Sequence, residues 1–166
     1  MKITILNYIK IFFILSFFNL TFFRCEANQD IEKYIRFKSL EHNNSNMRVG
    51  PGERFEIKWN FKKIGLPVKA IKKYDNWYEV LTPDGSRGWM HKRLLNNNKT
   101  VIFKKNSLVY KKPNRNSKLK ANINKNRIAT IKSCKNNWCK IEDENYDLIG
   151  YTLKENIWGA IASEPN

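Results

Sequence analysis

VKAIKKYDNWYEV, residues 68 to 80, leads through Pro83-Asp84-Gly85 into GWMHKRLL, residues 88 to 95. Short segments rich in Val, Ile, Trp and Tyr are cut here by Asp, Asn, Gly and Pro, which is the pattern of strands joined by tight turns. The pattern returns. IATIKSCKNNWCKI, residues 128 to 141, leads through Asp143 to Asp147 into GYTLKENI, residues 150 to 157. Trp77 aligns with Trp138 at a shift of 61, and Gly88 with Gly150 at a shift of 62. Two copies of one unit of about sixty residues follow, joined at Asn96-Asn97-Asn98. Apolar residues at helical spacing do not extend beyond a turn or two, so the predicted class is all-β. Units this short favour small barrels over a large sandwich. Domains of this size bury only about 60% of their unfolded-chain surface and are marginal alone, so the copies are expected to pack on each other.

Upstream of the first copy, the chain opens MKITILNYIK and stays apolar from Ile11 to Phe23 apart from Ser16, Asn19 and Thr21, ending in RCEANQD. This is the layout of a secretory signal peptide, with cleavage expected after Ala27. The apolar stretch is shorter than the roughly 18 to 20 residues of a spanning helix. An uncleaved anchor is the alternative, and Arg24 argues against acylation of Cys25. The expected organisation is therefore a signal at 1–27, an extension at 28–35, domains at 36–98 and 99–162, and a tail at 163–166.

Of 31 basic and 15 acidic residues, the signal holds Lys2, Lys10, Arg24 and Glu26, leaving a net +14. An exported chain so basic should attract polyanions such as peptidoglycan carboxylates or anionic headgroups. The richness in Asn, Lys, Ile and Phe also fits a compositional bias in which lysines only solubilise. Nucleic acid is not expected as a partner, because the signal leads away from it.

Two cysteines then remain, Cys134 and Cys139, flanking an Asn-Asn turn between two short strands. Across a hairpin they face each other closely enough to bond, in a compartment where disulfides persist. A loop so small should contribute only about 2 kcal/mol. A zinc site needs more ligands and a redox site a different spacing, so no metal or cofactor is expected.

The opening of the first copy, Asn46-Met47-Arg48-Val49-Gly50-Pro51-Gly52, followed by Gly65-Leu66-Pro67-Val68, DNWYEV and GWMHKRLL, resembles the bacterial SH3-like (SH3b) domain. The order of both copies, with the cysteine pair in the second, is similar to a tandem SH3b family of exported proteobacterial proteins. The resemblance covers roughly residues 36 to 160 and is weaker in the second copy. There Lys111-Lys112-Pro113-Asn114 replaces the Gly-Pro-Gly element and Tyr151 replaces tryptophan. It implies two SH3-like barrels in the periplasm or envelope, acting as a binding module for cell-wall peptidoglycan or envelope peptides. A periplasmic protein–protein adaptor is the second reading.

Physical reasoning assigns the turn a structural part. Pro51 fixes φ at one corner and Gly52 supplies a positive φ at the next, as in a type II turn, with Asn114 standing in for Gly52 in the second copy. Met47 and Val49 then share one face and Arg48 takes the other. Asn46 is expected to hold the loop entry through its own backbone. By strand alternation Trp77 lies with Glu79, and Trp138 with Lys140, on the charged side, where they serve as ligand platforms, as contacts between the domains or with a loop, or as ordinary half-buried packing. The candidate ligand contacts are thus Trp77, Trp89, Trp138, Tyr151 and Arg48. Trp59 and Trp158 are expected in a core or seam.

Catalysis finds no support. SH3b modules accompany cysteine peptidases, but such a site needs a free Cys with a His base, and both remaining cysteines are assigned to a bridge. His42 and His91 are the two histidines. Asp84, Asp143 and Glu144 read as turn acids, and Gly50-Pro51-Gly52 lacks the lysine and helix of a phosphate loop. A non-enzyme is expected.

Overall fold

The computed structural model describes residues 32–161. The expected signal, its cleavage point and the tail at 163–166 lie outside the described residues. No α-helix occurs among the described residues; fourteen strands and three short 3-10 helices do.

The first copy comprises β1 (Glu32–Leu40), β2 (Ser45–Arg48), β3 (Ile57–Phe61), β4 (Pro67–Tyr74), β5 (Trp77–Leu81), β6 (Arg87–His91) and β7 (Leu95–Asn96). The second comprises β8 (Thr100–Phe103), β9 (Ser107–Tyr110), β10 (Leu119–Ile123), β11 (Ile128–Lys135), β12 (Trp138–Asp143), β13 (Leu148–Leu153) and β14 (Ile157–Gly159). The sheets run β3-β2-β6-β5-β4-β1-β7 and β10-β9-β13-β12-β11-β8-β14, one topology used twice. Even the irregularities repeat: β4 shifts register between Ala70 and Lys72, and β11 between Ile131 and Ser133.

The hairpin turns explain themselves locally. Asp75 and Asn136 adopt left-handed φ of 46° and 52°, a conformation that Asn and Asp tolerate better than other side-chain-bearing residues. Across the second of these hairpins Cys134 and Cys139 are register partners and form the disulfide.

Each copy has its own core. Leu40, Met47, Val68, Val80 and Met90 fill the first; Val101, Phe103, Val109, Ile131 and Ile141 fill the second. Between them lies β8, Thr-Val-Ile-Phe, buried along its whole length. Side chains alternate along a strand, so Val101 and Phe103 enter their own core while Ile102 joins the first copy's. Trp158 on β14 follows the same rule: it packs against the first core and meets Phe37 edge-on at 5.2 Å, while its neighbour Ile157 belongs to the second. Polar groups complete the seam. Ser39 Oγ donates to Asn98 O at 2.7 Å, and Thr100 Oγ1 donates to Gly65 O at 2.7 Å.

Three expectations are corrected. Residues 32–35 are not an extension: β1 begins at Glu32 and pairs with β4, Glu32 opposite Lys73, because β4 is long enough to offer a backbone edge there. Trp59 is neither core nor seam but 53% exposed, since β3 is the outermost strand of its sheet. Asp143 is no exposed turn acid. It is buried and takes both Nε and Nη2 of Arg127, at 2.6 and 2.9 Å, the pairing a buried carboxylate needs.

Candidate binding cleft

The turn between β2 and β3 is the first wall of the site. Val49 N donates to Glu56 O, Gly52 N to Gly50 O and Phe55 N to Gly52 O. Sixty-two residues later Lys111 N, Asn114 N and Ser117 N donate to Lys118, Lys112 and Asn114 carbonyls in the same pattern. The echo in sequence is thus an echo in hydrogen bonding. Its chemistry differs from expectation, because neither Gly52 nor Asn114 is among the residues with positive φ. Glycine is required instead at Gly50, where a Cβ would lie 2.6 Å from the Phe55 ring. The ring folds back over the turn, and only a bare backbone leaves room.

Two neighbours also differ. Val49 does not share the core face of Met47; it is 55% exposed, because a bulge between Met47 and Arg48 breaks the alternation. Asn46 holds the loop entry through a side chain rather than its own backbone, its Oδ1 accepting from Asn60 Nδ2 at 2.6 Å. Arg48 faces away from the core and donates from Nη1 to Phe55 O at 2.6 Å, which clamps the turn shut.

Strands β5 and β6 form the floor. Trp77 lies opposite His91, and Glu79 opposite Trp89. Trp77 is on the side expected, outside the core cluster, yet it is 8% exposed, so it is a covered floor and not a wet platform. The His91 ring meets it edge-on at 5.2 Å. His91 Nδ1 accepts from Arg93 N at 3.2 Å and caps the 3-10 helix Lys92–Leu94. Burial first, then the positive charges of Arg93 and Lys92, hold the His91 imidazole below its ordinary value. Half-buried Trp89 also pairs with Arg48 across to β2. This approach is close because Gly88 precedes it: a Cβ at Gly88 would lie 2.6 Å from Met47 Cγ and 2.8 Å from Arg48 O. Gly150 plays the same part against Val109 and Tyr110 O.

The far wall is the 3-10 helix, from which Arg93 reaches Glu53 on the turn at 3.1 Å. An exposed pair of this kind contributes little stability, but it closes the rim. A cleft of about 170 Å³ results, with Arg48, Glu53, Trp77, His91 and Arg93 among its lining. Of the residues named from sequence, Asn46, Arg48 and Trp77 line it and Trp89 sits beside it. Glu53, His91 and Arg93 complete the lining without a sequence signal for binding: His91 reads from the sequence only as a candidate catalyst, and the spacing of Glu53 from Arg93 carries no local signal.

At the corresponding place in the second copy Tyr110 stands where Arg48 does, and its ring lies edge-on to Trp138 at 5.7 Å. Tyr151 is the register partner of both Tyr110 and Lys140. Tyr110 also escaped sequence reading, although the shift of 62 from Arg48 marks it. No group of His, Cys, Asp and Glu among the described residues is arranged to hold a metal ion.

A profile of the bacterial SH3 domain matches the chain twice, at residues 41–97 and 104–159. Among solved structures the chain is similar to NlpC2 from Trichomonas vaginalis, at 13% identity and a TM-score of 0.34, covering 76% of this chain and 49% of that one. It is similar also to NlpC1 from the same organism, at 14% identity and a TM-score of 0.34, covering 76% and 46%. The chain thus spans about half the length of these two proteins. No curated protein matches it.

Proposed function

Because the chain belongs to the bacterial SH3 domain family, whose domains are typically binding modules, we propose that it is a non-catalytic binder of cell-wall peptidoglycan or envelope peptides. The observation that carries this reading is the Trp77 cleft. An aromatic floor with a few convergent polar groups, Arg48, Glu53 and Arg93, is the composition of a small recognition site. Indole and imidazole supply apolar area at low conformational cost, while the two arginines offer planar donors to a peptide carboxylate. The net positive charge adds attraction for an anionic wall and speeds encounter. Export to the periplasm, with the signal removed, belongs to the same proposal.

Titration of the full chain with soluble muropeptides, followed by the indole and imidazole NMR signals, tests it. The expected result is saturable shifts at Trp77 and His91 that Arg93→Glu abolishes. Unmoved Trp77 and His91 signals at millimolar muropeptide would leave the cleft without this ligand.

A further inference from the structure

We propose a second binding site, for an extended peptide bearing carboxylate side chains, along β10 and into the seam between the copies. It shares no lining residue with the Trp77 cleft and stands independently of the function proposed there.

Strand β10 ends its sheet and has β9 as its one neighbour, so one edge of its backbone is unpaired within the described fold. Beside it runs a cleft of about 420 Å³, lined by consecutive residues from Lys120 to Asn124 and by Arg127, Tyr146 and Leu148. Ala121, Ile123 and Leu148 make part of that lining apolar. On the other side of Arg127 a second cleft of about 260 Å³ opens at the seam, where Lys62, Lys63 and Ile64 of the first copy meet Asn126 and Ile128 of the second. Arg127 lines both. The seam is bridged there by Lys63 Nζ, which donates to Asn126 O.

The guanidinium of Arg127 is held in place. Buried Asp143 takes Nε and Nη2, and the Tyr146 ring lies 4.2 Å from the guanidinium carbon. The Arg127 side chain remains 31% exposed. A cation fixed in this way loses little freedom when it meets a ligand. The two linings together carry Lys62, Lys63, Lys120 and Arg127 and no carboxylate. Glu144 and Asp147, on the same loop as Tyr146, do not line either cleft.

These features select the occupant. An open strand edge recognises peptide backbone by strand addition. Apolar lining takes alternate side chains, and the row of cations takes carboxylates on the others. Edge lysines alone also serve to discourage pairing between sheets, and β3 in the first copy carries Lys58 at the place of Lys120. The first copy, however, has Leu66 and Thr82 where the second has Arg127 and Asp143. The fixed cation belongs to the second copy alone.

The test is a titration of the isotope-labelled full chain with a capped synthetic decapeptide alternating valine and glutamate. We expect amide shifts at Ala121 to Asn124 and at Arg127 and Ile128. Binding should weaken roughly tenfold or more with glutamine in place of glutamate, with alternate amides N-methylated, or with the exposed pair Lys62→Glu and Lys63→Glu. Arg127→Gln should do the same; the two-lysine variant decides the matter should loss of the buried pair prevent folding. Equal binding of the glutamine or N-methylated peptide, or equal shifts from dextran sulfate, would overturn the proposal. Shifts centred on Trp77 and His91 would overturn it also.

Discussion

At the scale of single residues, the two copies are held by places where nothing but hydrogen fits. Gly88→Ala would drive a methyl into Met47 Cγ and Arg48 O, and overpacking of this kind costs about 1–3 kcal/mol. A fall in the denaturation midpoint at unchanged m-value is the expected reading. His91 sets a different dependence. Its imidazole is held below its ordinary value, so the unfolded chain takes up the proton first as pH falls through the ordinary histidine range, and the folded state loses stability there. His91→Gln should reduce the fall in Tm between about pH 7.5 and 5.5. Asp84 works in a lower window: its hydrogen bond from Thr82, first among the causes, depresses the carboxyl, so its contribution is present above the ordinary carboxylate range and lost below it. Sequence exposes such residues unevenly. Gly88 and Gly150 stand out by their repeat spacing, whereas the demand on Gly50 comes from a ring five residues on, and no turn rule contains it.

At the scale of elements, alternation and turn chemistry made the strands readable. The Asp-Asn and Asn-Asn hairpins, the Trp-led strands and the cysteine pair all carry local signals, and each appears where those signals put it. What stayed hidden comes from contacts between elements. Trp77 lies on the side that alternation assigns, but the β2–β3 turn and the 3-10 helix cover it, joined by Glu53 and Arg93 from forty residues apart. Strand β1 could not be bounded from sequence, because its first residues are ordered by pairing with β4 and not by any pattern of their own. The β11–β12 hairpin should be the element most sensitive to its covalent tie. Cys134→Ser with Cys139→Ser is expected to cost about 2 kcal/mol, read as a lowered Tm that reducing agent reproduces in the parent and leaves unchanged in the variant.

For the whole molecule, the seam decides how the copies behave. Ile102 is supplied by the second copy's sheet to the first copy's core, and Trp158 does likewise from β14. Shared burial of this kind predicts one cooperative transition, with calorimetric and van't Hoff enthalpies equal. Ile102→Ala should then destabilise both copies together, by about 2–5 kcal/mol, and two resolved transitions would show the copies to be independent. That packing is expected from the small size of each unit, and Trp158 reads from the sequence as a core or seam residue; Ile102 does not, since an all-apolar strand such as Val-Ile-Phe does not announce which face serves which core. Binding to an intact wall is the central claim, and it is measured most directly by sedimenting the full chain with isolated peptidoglycan sacculi at low and moderate salt. The account predicts retention that persists at moderate salt and falls with folded Arg93→Glu. Failure to sediment with sacculi even at low salt would contradict it.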